Sequence, residues 1–134
     1  MKKLIALLTV SMLSSCAVYD AYMMTKYDSN EYKLAVEIRT DAHLAKTECD
    51  NPLASKINAQ AIADKTQLFE FYSEHIPRND NGASASRNLN EIAQGLLKRY
   101  NSGDKVSPTF CRLKFEGIEI GAVTVQSVLA KRPR

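Results

Sequence analysis

Apolar side chains recur along most of this chain at alternating spacings of three and four, the period that gathers them on one side of an α-helix. Four segments carry the pattern. In the first, Ala35, Ile38, Ala42, Ala45 and Cys49 form one narrow stripe, with Asp28 or Ser29 placed to cap and Glu31 in the first turn. Asp50-Asn51-Pro52 then stops that helix and starts the next, proline taking the first-turn position it tolerates. The second segment runs from about Leu53 to His75. Leu53, Ile57, Ala61, Leu68, Phe71, Tyr72 and His75 fall within a third of its circumference, so this arc is the expected buried face, with Asp64 in its middle. Pro77 to Gly82 is the most loop-like stretch of the chain. The third helix, about Ser84 to Tyr100, places Ala85, Leu89, Ile92, Ala93, Leu96 and Tyr100 on one side, and Asn101 to Asp104 ends it.

The last segment reads two ways. Ser107-Pro108 is a helix start, and Cys111, Phe115, Ile118, Ala122, Val125 and Leu129 follow at helical spacing. The stretch is also rich in Val, Ile and Phe, and Leu113 to Glu116 alternates like a strand. That alternation loses phase at Gly117 and Gly121, where the helical period survives, so helix is favoured. Four helices on short connections predict an all-α fold, an antiparallel up-down-up-down four-helix bundle. The alternative is α+β, with residues 109–129 as strands. In the bundle, Cys49 closes the first seam and Cys111 opens the fourth, so both face inward at one end. Gly117 and Gly121 would let a neighbouring helix approach closely.

The start of the chain has a different character. Met1-Lys2-Lys3 is followed by the apolar run Leu4 to Leu13, too short to span a bilayer, and then by Leu13-Ser14-Ser15-Cys16. This resembles the signal peptide and lipobox of bacterial lipoproteins. The resemblance covers residues 1–16 alone. It implies that 1–15 is a cleaved signal peptide, that Cys16 carries a diacylglycerol thioether, and that Ala17, in place of a retention aspartate, directs the protein to the outer membrane. Residues 16–27 then form a lipidated membrane-proximal segment and 28–134 the helical bundle, expected to face the periplasm. Tyr19, Tyr22 and Tyr27 in that segment suit a lipid headgroup layer or an extension of the first helix equally well.

Lipid on Cys16 leaves two thiols, Cys49 and Cys111, 62 residues apart in an oxidising compartment. An even remainder there reads as one disulfide, the alternative being two free buried thiols. No C-x-x-C is present, and His43 and His75 lie outside any standard ligand spacing, so no metal site is expected.

Composition narrows function mainly by exclusion. Of 134 residues, 45% are hydrophobic and 25% charged, the balance of a folding chain. The 18 basic residues outnumber the 15 acidic ones only through the two ends; between Cys16 and Ala130 the net charge is −2, so no nucleic-acid partner is expected. G-x-S-x-G, H-E-x-x-H, a phosphate-binding glycine loop and C-x-x-C-H are all missing, and no catalytic residue or cofactor is expected. Asp64 on an apolar arc is either a buried polar contact or a sign that the arc is misplaced. His75 suits the negative pole of its helix. The tail Lys131-Arg132-Pro133-Arg134 is either a solvated end or a contact for anionic lipid. The expected function is a non-enzymatic, membrane-anchored lipoprotein that binds another envelope component. Two alternatives stand beside it: a phage or prophage lipoprotein for superinfection exclusion or lysis, and a carrier of an apolar ligand inside the bundle.

Overall fold

A computed structural model describes residues 25–134. The expected signal peptide over 1–15, Cys16 and the tyrosines at 19 and 22 lie outside the described residues. Among the described residues four helices follow one another: α1 (Ser29–Ala45), α2 (Pro52–Glu74), α3 (Asp80–Asn101) and α4 (Pro108–Ala130), with a 3-10 turn at Lys46–Glu48. There is no strand among the described residues, so the strand alternative for residues 109–129 falls. The side-chain period survived both glycines because an α-helix tolerates each at a cost of about 1 kcal/mol, whereas a one-residue slip inverts a strand's faces.

Local chemistry sets each boundary. Asp28 caps α1, its Oδ1 accepting from the amides of Asn30 and Glu31 at 2.9 and 2.8 Å. Asn51 caps α2 through the amides of Leu53 and Ala54, and Ser107 caps α4 through that of Phe110. Pro52 and Pro108 each take a first-turn position, where the missing N–H is no loss. Gly103 ends the third helix at φ 82°, a conformation that costs other residues a steric penalty. The third helix begins earlier than its composition suggests. Asp80, Asn81 and Gly82 belong to α3, and only His75–Asn79 connects it to α2.

The helices alternate in direction around a square. α2 packs most extensively on α3 and α1 on α4, while the α1–α2 and α3–α4 contacts are thinner. Phe69, Phe115, Ile38, Ile62, Leu96 and Ile118 fill the centre at 2% exposure or less, each contributing about 1.5–3 kcal/mol by leaving water. Every residue of the predicted first and fourth seams is buried. Of the third, Leu89, Ala93 and Leu96 are buried, Ala85 and Tyr100 pack against them, and Ile92 is partly exposed. Cys49 and Cys111 form a disulfide with Cα atoms 5.8 Å apart, at the end where α1 finishes and α4 begins.

The second seam is corrected. α2 buries Ser55, Ala59, Ile62, Ala63, Thr66, Phe69 and Ser73, a face roughly 160° around the helix from the predicted arc. Small residues win because they let α2 and α3 come close, Ser86 answering from α3. Three of the four hydroxyls bond within their own helix: Ser55 Oγ donates to the Pro52 carbonyl at 3.2 Å, Thr66 Oγ1 to that of Ala63 at 3.0 Å and Ser86 Oγ to that of Ala83 at 2.9 Å, while the buried Ser73 hydroxyl has no partner among the described residues. Of the two glycines in α4, Gly121 is the point of close approach, where an added Cβ would lie 3.0 Å from Leu89 Cδ1; Gly117 faces open space.

Candidate interaction surface

The arc displaced from the core lies on the outside of the bundle. Leu53, Ile57, Leu68 and Phe71 are 54–69% exposed, and Ala61 is exposed between them. From Ile57 onward, Ala61, Asp64, Leu68, Phe71 and His75 follow at alternating steps of four and three. That is the heptad seam by which one helix meets another, extending about 27 Å from Leu53 to Phe71. Four of the ten large exposed apolar residues of the described chain therefore stand in one line. Beside it, between α1 and α2, runs an open groove of about 320 Å³, lined by Leu44, Ala61 and Ile62 with Asp41 and Glu48 on its rim.

Carboxylates punctuate this surface. Asp64, at the middle of the seam, is exposed and accepts from Gln60 Nε2 at 2.9 Å. Glu48 accepts from Asn58 Nδ2 at 2.6 Å. Among the described residues neither makes an ion pair. Lys65, next to Asp64 in sequence, turns instead to α1 and contacts Asp41 at 2.6 Å and Glu37 at 3.4 Å. Burial works against its charge, but the hydrogen bond to Asp41 and the two carboxylates outweigh it and hold the ammonium pKa above the usual lysine value.

The opposite end from the disulfide holds a second polar cluster, one that sequence reasoning missed. Glu31 is fully buried on α1. Its Oε1 accepts from Asn79 Nδ2 at 2.7 Å and its Oε2 from Arg132 Nη1. Arg132 Nη2 closes the ring by donating to Asn79 Oδ1 at 2.7 Å. Asn79 also donates to the Ser73 carbonyl at 3.0 Å, so the ring ties α1, the α2–α3 turn and the C-terminal tail together. Gly82 leaves room for it, because a Cβ there would fall 2.2 Å from Asn79 Oδ1 and 2.7 Å from Arg132 Nη2. The tail is thus not a free solvated end. Arg134 lies over the Tyr27 ring at 5.3 Å, and the Tyr27 amide donates to the Pro133 carbonyl at 2.8 Å. The available signal was the seams themselves: Glu31 precedes Ala35 by four and Arg132 follows Leu129 by three, so each continues its helix's buried stripe.

The remaining candidates are dispersed. Asp64 is a surface residue, not a buried contact. His75 sits at the end of α2, Nδ1 at 2.8 Å from the Phe71 carbonyl, as its helix-end role requires. His43 meets Glu119 across α1 and α4 at 3.0 Å, and Lys46 contacts the same carboxylate. The hydrogen bond from Lys46, with help from His43 and against partial burial, holds the Glu119 pKa below the usual carboxylate range. No group of three or more metal-ligating side chains comes together among the described residues, and no helix among them is long and apolar enough to cross a membrane. Comparisons with protein-family models, with curated proteins and with solved structures return no match.

Proposed function

We propose that this protein is an outer-membrane lipoprotein, anchored by lipid on Cys16, that acts without catalysis by holding another envelope protein against the outer face of α2. The observation that carries the binding reading is the line Leu53, Ile57, Leu68, Phe71, a helical seam left in solvent on a bundle whose own core is complete without it. A soluble surface rarely keeps such a row unless something covers it. The anchor reading rests on the lipobox resemblance and suits a domain that works beside a bilayer.

Two measurements test the two halves. Labelled palmitate fed to producing cells should travel with the protein, and Cys16→Ser should abolish both the label and retention in the envelope fraction. An envelope pull-down with the full chain should recover a partner, and Leu68→Glu with Phe71→Glu should lose it while the helical circular dichroism stays unchanged. Retention of the partner by that double variant would refute the α2 surface.

A further inference from the structure

Resting on that reading of α2, we propose that the partner presents an amphipathic helix with a lysine or arginine at the middle of its apolar seam, placed to meet Asp64. The argument starts from where Asp64 stands. It occupies a seam position between Ala61 and Leu68, so any helix covering Ile57 and Phe71 also covers this carboxylate and strips its water. A carboxylate so covered is tolerated only when a cation and hydrogen bonds replace that water. Gln60 supplies one hydrogen bond and no charge. Lys65 is committed to Asp41 and Glu37 on α1. The missing cation must therefore come from the covering helix, and Glu48 on the groove rim adds to the same field.

The same residue argues against other occupants. Two copies of α2 packed in parallel register would set Asp64 against its own counterpart. Packed antiparallel in heptad register, they would press Asp64 onto the other copy's Leu68 with no cation opposite. A lipid surface offers the seam apolar contact but would bury the carboxylate at its centre. A helix with a central cation satisfies both features of the surface at once, as buried polar seam residues do in selecting partner and register.

The test uses the full chain in the native envelope, with a photocrosslinking amino acid at position 57 or 68 and the attached peptide sequenced. The expected product is a partner peptide with apolar residues at three-four spacing and a Lys or Arg between them. Asp64→Asn should weaken partner recovery by about 10- to 100-fold, the usual worth of a hydrogen bond to a charged group. Asp64→Lys should abolish recovery, and reversing the partner's cation to Glu should restore it. Crosslinks to a second copy, to lipid, to this chain's own residues, or to a segment without a central cation would overturn the inference while leaving α2 a contact surface. Unchanged recovery with Asp64→Lys would overturn it as well. Absence of any crosslink from both positions would instead refute the docking surface itself.

Discussion

Replacing Arg132 by Met should cost far more than a change just past the end of a helix normally does. The guanidinium side chain is 9% exposed and the Glu31 carboxylate it contacts is fully buried. Met keeps much of the arginine stem's packing but leaves the carboxylate with Asn79 alone. Breaking one side of a buried pair costs about 3–5 kcal/mol, a large share of the ~5–15 kcal/mol available to a domain of this size. At about 4 °C per kcal/mol, Tm should fall by roughly 12–20 °C. The companion Glu31→Met, Arg132→Met double variant removes both charges and should recover most of that loss. A shortfall of ~1–3 kcal/mol should remain, because Asn79 Oδ1 loses its donor. The assay is thermal and urea unfolding of the full chain in mild detergent, followed by helical circular dichroism, for wild type, both single variants and the double. A loss below ~1 kcal/mol for Arg132→Met, the size expected of an exposed ion pair, would refute the buried ring. So would a double variant no more stable than the worse single one.

Other outcomes follow from the same geometry. Gly95→Ala and Gly117→Ala, which meet open space, should each stabilise by about 0.5–1 kcal/mol, whereas Gly82→Ala should destabilise despite the same gain in helix propensity, because its methyl displaces Asn79 and Arg132; equal Tm shifts at all three would contradict the packing. Cys49→Ser with Cys111→Ser should lower stability by about 4 kcal/mol, the chain-entropy value for a loop of this length, measured by urea unfolding with and without reductant, and reductant should then have no effect on the variant. Glu119 has a folded pKa below its unfolded one, so its contribution is complete above the unfolded value and disappears as pH falls through the folded one. Glu119→Gln should therefore flatten the acid limb of the stability–pH curve below about pH 5, and an unchanged limb would count against the Lys46 and His43 contacts.

The bundle was legible where one face of a helix is apolar and the other is not. Ala35, Ile38, Ala42 and Ala45 marked the first seam, Phe115, Ile118, Ala122, Val125 and Leu129 kept the helical period through two glycines where a strand's alternation failed, and Cys49 and Cys111 met because two independently counted stripes reach the same end of the bundle. α2 misled because it carries two apolar faces. Periodicity ranks faces by hydrophobicity, and Leu53, Ile57, Leu68 and Phe71 outrank Ser55, Ala59, Ala63 and Thr66 on that scale. What decides burial here is how near α3 can come, which favours small side chains, the hydroxyls of Ser55 and Thr66 bonding back inside the helix. The same error located the candidate surface, since the strongest apolar arc in solvent is what needs an occupant. Glu31, Asn79 and Arg132 were hidden for another reason: 48 and 53 positions separate them in sequence, and only the bundle's closure brings them together.

The ring at Glu31 also orders events during synthesis. The cation that neutralises this carboxylate lies 101 positions downstream, so a nascent chain that still lacks Arg132 holds an acid in the place where its interior should close. Closing the bundle before Arg132 is present therefore buries a carboxylate without its cation. The tail is coupled to the start of the first helix as well: a group attached to Arg134 would be felt at Tyr27, beside the Asp28 cap of α1.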